Sequence, residues 1–187
     1  MPLIVGISGA TGSIYGIRLL EVLRQAKVET HLIISKTGEQ IIEHETTYKV
    51  SEVRKLASFC YDIDDLSACI SSGSFLRDGM VVAPCSMKTM SAIAYSIADN
   101  LLVRAADVTL KERKNLTLLA RETPLHQGHL RNMLRLAEMG AIILPPVPSF
   151  YHRPKTIDDI VDHTVAKILD LQAIKHNLSR RWAGFEQ

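Results

Sequence analysis

This sequence predicts an α/β fold built on a doubly wound parallel sheet, and three features carry that prediction. Short apolar runs recur along the chain, and each ends in a turn of small residues or proline before a segment of helical spacing. The runs are apolar throughout instead of alternating, as expected of strands covered on both faces. Finally, 47% of the 187 residues are apolar, enough to fill one core, which favours a single domain over residues 1–187.

The elements follow in order. Leu3–Ile7 is the first strand, and it ends in Ser8-Gly9-Ala10-Thr11-Gly12. Ile14, Ile17 and Leu20 then recur at helical spacing, predicting a helix over Ser13–Gln25. Thr30–Ile34 is a β-rich second strand that hands over at Ser35 to helix formers spanning 36–46. A short helix is expected over 51–59. The third strand, 79–83, is stopped by Pro84 and followed by a helix of small residues over 86–97 and an amphipathic helix over 100–114. Asn115–Ala120 is the fourth strand, and a helix over 125–139 is terminated by Gly140. The fifth strand, 141–144, breaks at Pro145-Pro146; a proline-rich loop runs through Pro154, a helix covers 158–174, and 177–187 reads as an extended tail. There is no internal repeat, low-complexity tract or linker, so the economical arrangement is one sheet with helices on both faces.

Composition excludes several classes. The 22 basic and 20 acidic residues leave a formal charge of +2, which argues against nucleic acid as the main partner. Three cysteines, Cys60, Cys69 and Cys85, form neither a disulfide framework nor a zinc motif and read as reduced thiols. The N-terminus lacks a basic region, its apolar run is too short for a signal peptide, and no run reaches the roughly 18 apolar residues of a membrane span. The expectation is a cytoplasmic protein.

In an open parallel sheet, ligands bind beyond the carboxyl ends of the strands. Here those ends carry Ser8-Gly9-Ala10-Thr11-Gly12, Ser35, Pro84-Cys85-Ser86-Met87-Lys88-Thr89, Arg121-Glu122, and Pro145 leading to Phe150-Tyr151-His152. Small residues, hydroxyls and helix N-termini together suit a phosphate. The first turn is Gly6-x-x-Gly9-x-x-Gly12 and not the dinucleotide spacing, and Ser35 stands where an acidic ribose ligand would be. Both facts point from NAD towards a mononucleotide such as FMN, although tight strand–helix packing accounts for the same glycines.

The residues themselves resemble a known family. Gly-Ile-Ser-Gly-Ala-Thr-Gly-Ser-Ile-Tyr-Gly (Gly6 to Gly16) is similar to the N-terminal signature of the UbiX-type flavin prenyltransferases, formerly described as phenylacrylic acid or 3-octaprenyl-4-hydroxybenzoate decarboxylases. The likeness continues through 84–89, 104–113, 121–125 and 145–151, in order and over nearly the whole chain. It implies a flavodoxin-like fold, FMN bound between subunits of a homo-oligomer, in this family a dodecamer, and no metal. It implies transfer of dimethylallyl from dimethylallyl phosphate to reduced FMN, at N5 and then C6, and delivery of the prenylated FMN to a UbiD-type decarboxylase.

Site residues follow from the same resemblance. Gly9, Ala10 and Thr11 match the first flavin loop, with Thr11 where many members have Ser. Ser35 matches a flavin-phosphate contact, and Ser86, Met87, Lys88 and Thr89 match the second flavin loop. Helix N-capping is the ordinary role of Ser86 and Thr89, and it can coexist with ligand binding. Arg121 matches an arginine beside the flavin, and Glu122 a carboxylate at the prenyl phosphate suited to handling protons. Arg104 and Lys111, seven apart on one helical face, match cations that reach the donor phosphate. Tyr151 and Lys167 match further donor contacts, Lys167 replacing an arginine found in some members. Glu45 matches a carboxylate near the reacting edge of the flavin, and Trp182 a tail aromatic that closes the site. An exposed helix residue, a solvated charge cluster and a docking anchor are the ordinary readings of Glu45, of 111–114 and of Trp182.

Other chemistries fit less well. Cys85 has no partner base in the sequence, and His126 and His129, spaced i, i+3, lack a third ligand for a metal. Two rival functions are flavin-dependent decarboxylation, including that of the cysteine decarboxylases of the same fold, which use a histidine after the second strand where only His44 stands, and a carrier that merely holds FMN.

Overall fold

The computed structural model describes residues 2–179, 181 and 184. Its chain runs β1 (Leu3–Ile7), α1 (Ser13–Gln25), β2 (Thr30–Ile34), α2 (Lys36–Glu45), α3 (Val50–Arg54), β3 (Phe59–Tyr61), β4 (Gly79–Cys85), α4 (Met87–Ala94), α5 (Leu101–Lys111), β5 (Asn115–Ala120), α6 (Gln127–Glu138), β6 (Ile142–Ile143) and α7 (Ile157–Leu171). All strands pair in parallel, in the order β3-β2-β1-β4-β5-β6. Without the short edge strand β3, the five expected strands stand in the flavodoxin-like order 2-1-3-4-5, and the order reverses between β1 and β4.

Both faces of the sheet are covered. Val5, Leu32, Val81 and Leu119 face α1, α2 and α7, while Ile4, Ile33, Met80 and Leu118 face α4, α5 and α6. Period-two alternation thus places every strand's apolar residues in one of two cores, which is why the strands read as unbroken apolar runs. Ile17, Leu20 and Leu23 of α1 are fully buried, each stabilising the fold by about 1.5–3 kcal/mol. Gly16 lets α1 lie on the sheet: a Cβ there would stand 2.2 Å from the carbonyl oxygen of Ala83.

Two expectations are corrected. The helix expected over 51–59 is cut to Val50–Arg54, and the chain then extends into β3, which pairs with β2 from His31↔Phe59 to Ile33↔Tyr61. Ser58 and Thr30 exchange backbone-to-hydroxyl bonds at 3.1 Å, and the His31 ring stacks on Phe59 at 4.9 Å, so side chains seat this three-residue edge. The third strand does not stop at Pro84 either. It continues to Cys85 through a register shift and a cis Ala83–Pro84 bond. Among the described residues no helix is long and apolar enough to cross a membrane.

Candidate active site

The carboxyl ends of β2, β1, β4 and β5 lie side by side, so the loops that follow them form one continuous rim. Ser8 joins two of these loops: its buried hydroxyl donates to the Pro84 carbonyl at 2.9 Å and accepts the Ser86 N–H at 2.8 Å. The next link is the Arg121 N–H, which donates to the Cys85 carbonyl at 3.3 Å and sets Arg121 beside the second loop. On the other side, Gly9 packs against the first turn of α2, where an added Cβ would come within 2.7 Å of Thr37 Cβ. The loops that carry Gly9, Ala10 and Thr11, then Ser35, then Ser86, Met87, Lys88 and Thr89, then Arg121 and Glu122 are therefore neighbours along this rim.

Of the two expected caps only Ser86 is one, since Thr89 supplies the N–H that is capped, and Ser35 caps α2 as well. Ser35 accepts the Gly38 N–H at 3.0 Å, and Ser86 accepts the Thr89 N–H at 3.3 Å while donating to the Thr89 hydroxyl at 3.1 Å. Each cap fixes a helix N-terminus at the rim, where the backbone dipoles favour an anion.

The N-terminus of α1 is different, because this protein fills it with its own anion. Glu45, the last residue of α2, accepts the Gly12 N–H at 2.8 Å and the Ser13 N–H at 3.3 Å through Oε2. Burial opposes ionisation of Glu45, but the hydrogen bonds from the Thr11 hydroxyl and from Gly12 and Ser13 outweigh it and hold the carboxyl below its usual range. Glu45 is thus more than an exposed helix residue: it fixes the turn at Gly12 and Ser13.

Glu122 is exposed, and its Oε1 accepts the Thr123 N–H at 3.0 Å, ahead of a cis Thr123–Pro124 bond. Cys85 is fully buried, which pushes its thiol up to about 12 and removes it as a nucleophile near neutral pH. The His126 and His129 rings stack 3.6 Å apart at the start of α6, and among the described residues no metal-binding cluster occurs.

The remaining cations are carried by helices on opposite layers of the sheet, α5 and α7. Arg104 and Lys111 lie on α5, where Arg104 Nε donates to the Ser71 carbonyl at 3.1 Å and Lys111 pairs with Glu112. This helix begins where Leu101 N–H meets the Ile63 carbonyl, beyond the carboxyl end of β3. It ends just before Asn115 opens β5, so Lys111 sits at the amino end of the sheet. Tyr151 and Lys167 lie on the opposite layer, with α7. Trp182 lies outside the described residues. Its neighbour Arg181 pairs with Asp170 at 2.6 Å, near the end of α7 and again towards the amino end. Asn115, the first residue of β5, marks that end by donating to the Leu171 carbonyl.

Sequence reasoning missed Ser8 and Thr37. Ser8 was only part of a loop motif, yet its buried hydroxyl is the joint between the loops that follow β1 and β4. Two concavities, of about 480 and 390 Å³, both border residues 27–29 at the amino end, away from the rim.

The Flavoprotein family model matches residues 1–179. The chain is 53% identical to the flavin prenyltransferase UbiX of Thauera aromatica over 187 residues, covering 100% of this chain and 96% of that one. It superposes on a crystal structure of AnUbiX in complex with FMN and dimethylallyl pyrophosphate with a TM-score of 0.98 and 49% identity, covering 99% of this chain and 98% of the other. It also matches a dodecameric FMN-dependent UbiX-like decarboxylase from Escherichia coli O157:H7, with a TM-score of 0.96, 51% identity and coverage of 98% and 100%.

Proposed function

The chain belongs to the UbiX flavin prenyltransferases of the Flavoprotein family, and from that membership we propose that it joins a dimethylallyl group from dimethylallyl phosphate to reduced FMN at a site shared between subunits. The residues present fit FMN. Gly9 leaves open the space that a Cβ would take from Thr37, and the capped termini of α2 and α4 present N–H donors to a phosphate. Ser35 would hold that phosphate, and Gly9, Ala10, Thr11, Ser86, Met87, Lys88 and Thr89 would line the ring system. Reduced FMN supplies the nucleophile that takes the five-carbon group.

One observation carries the shared site. The cations suited to a departing phosphate stand on opposite layers of the sheet, Arg104 and Lys111 with α5 and Lys167 with α7, and Lys111 stands at the end away from the rim. They converge on one donor only if neighbouring copies contribute them, as a dodecamer would allow. The same holds for the tail from about residue 177, which starts at the amino end and would close a neighbour's site with Trp182. Across such an interface Lys111, Arg104, Lys167 and Tyr151 would bind the donor phosphate, whose growing negative charge on departure they offset. Arg121 would stabilise the anionic flavin. Glu122 would move the proton that the leaving phosphate requires, and Glu45 would hold the first loop against the reacting edge. The product would pass to a UbiD-type decarboxylase.

The decisive experiment incubates the protein with reduced FMN and dimethylallyl phosphate or pyrophosphate and weighs the extracted flavin. A five-carbon gain is expected. Unchanged flavin with FMN still bound would mark a carrier. Decarboxylation of a substrate by the isolated protein would favour the rival enzyme class, against which stands the exposed position of His44 on α2.

A further inference from the structure

Tyr151 is tied to α7 by a side chain that none of the assigned roles includes. Its hydroxyl lies 2.7 Å from Nε2 of His163, on the second turn of that helix. The two rings meet edge to face, with centroids 5.5 Å apart at 78°, and the His163 ring lies flat on His152 at 4.5 Å and 3°. Ser149 Oγ is 3.2 Å from Nδ1 of His163 and 3.3 Å from Nε2. That near-equal spacing sets the hydroxyl over the ring face and not along either lone pair, so the Tyr151 contact is the well-aligned one. His163 and Lys167 are four residues apart on α7 and so share one helical face.

We propose that His163 is a positioning residue for the prenyl donor: its Nε2–H donates to the Tyr151 oxygen and turns the phenolic proton outward, towards a phosphate oxygen held by Lys167 one turn on. The inference rests on the reading that Tyr151 and Lys167 receive the donor phosphate. The opposite tautomer would absorb the phenolic proton and leave only oxygen lone pairs facing an anion. Burial and the neighbouring His152 lower the affinity of His163 for a second proton, so the ring is neutral near pH 7 and its tautomer decides the direction of the bond.

The test measures prenylation with dimethylallyl phosphate as the varied substrate, and FMN affinity alongside. It compares the native protein with Tyr151→Phe, His163→Leu, His163→Gln and the Tyr151→Phe/His163→Leu pair. His163→Leu is expected to raise KM by about five- to tenfold with kcat and FMN affinity little changed, matching Tyr151→Phe. The pair should be no worse than either single change, because both remove one interaction. His163→Gln, whose amide N–H can reach the same oxygen, should recover most of the loss. Additive effects in the pair, or a Gln variant as poor as Leu with FMN binding intact, would overturn the positioning role. So would an unchanged KM in His163→Leu beside a raised one in Tyr151→Phe. An unchanged KM in Tyr151→Phe would instead remove the phosphate reading of Tyr151, and the inference with it.

Discussion

Glu45 Oε2 accepts the Gly12 N–H at 2.8 Å, so the carboxylate that ends α2 closes the N-terminus of α1 across 33 positions of chain. The bond anchors the loop after β1 and places a fixed negative charge at the dipole end of α1. Glu45→Gln should therefore destabilise the protein by about 0.5–1 kcal/mol at pH 7 and weaken FMN binding. The sign of the pH dependence is determined. Folding lowers the Glu45 pKa from the usual 4.5, so its contribution is present above that value and is lost as pH falls through the folded value. Melting temperatures of the native protein and the variant should differ at pH 7 and converge in acid; a constant gap would deny the ionised carboxylate its role.

Gly16 is required by packing, not by a turn. A Cβ at this position meets the Ala83 carbonyl oxygen at 2.2 Å and Ile7 Cγ1 at 2.9 Å, and a backbone carbonyl in a central strand cannot move aside. Gly16→Ala removes a helix-interior glycine, which alone would stabilise by up to about 1 kcal/mol. Overpacking, at about 1–3 kcal/mol, should win. The expected result is a net fall in the thermal midpoint, together with weaker FMN binding because α1 carries the first loop.

Arg77 is 1% exposed, and its guanidinium donates to the carbonyls of Phe75, Ile70 and Ser72 at 3.3, 3.1 and 2.5 Å. It thus holds the turn whose Ser71 carbonyl receives Arg104. Arg77→Met should cost about 3 kcal/mol, since three acceptors lose their donor. Arg77→Lys should recover only part of that, because an ammonium lacks the planar fork. Denaturant midpoints measure the stability. A raised KM for the donor in whichever variant still folds would show that the turn also seats Arg104.

How much of this was legible depends on whether the signal was local. The strands β1, β2 and β5 were read to the residue because continuous apolar runs between helical stretches have few alternatives. The edge strand β3 was not, because Phe59, Cys60 and Tyr61 are mostly exposed and too few to show a period, and their pairing depends on distant Thr30 and His31. The rim was legible because strand ends and site residues are neighbours in sequence. The Glu45–Gly12 bond and the Ser8 joint were not, since each links segments far apart along the chain. The placement of Lys111 followed only from the direction in which α5 runs.

Glu122 has no part in holding the rim: it is exposed, and its hydrogen bond is to the adjacent Thr123 N–H. Glu122→Gln should leave FMN affinity and the melting temperature near native values. If the carboxylate moves the phosphate's proton, single-turnover prenylation should slow by about 100-fold or more. A native rate would take Glu122 out of the chemistry.

The separation of Lys111 from the rim makes the shared site testable without a structure of the assembly. A variant lacking Lys111 and one lacking Glu122 are each expected to be nearly inactive as homogeneous oligomers, since every site then lacks one of the two groups. If Lys111 of one subunit serves a site whose Glu122 comes from another, co-assembled mixtures contain intact sites. These arise where a Lys111→Ala subunit supplies Glu122 and a Glu122→Gln subunit supplies Lys111. At equal proportions and random assembly, that is about one site in four. Co-expression or denaturation and renaturation of mixed Lys111→Ala and Glu122→Gln chains should therefore restore about a quarter of native activity, whereas mixing the folded oligomers without exchange should restore none. Were both groups drawn from the same chain, every site in the mixture would still carry one defect and activity would stay at the level of the separate variants. The sheet predicts the first outcome, because α5 carries Lys111 to the end opposite Glu122.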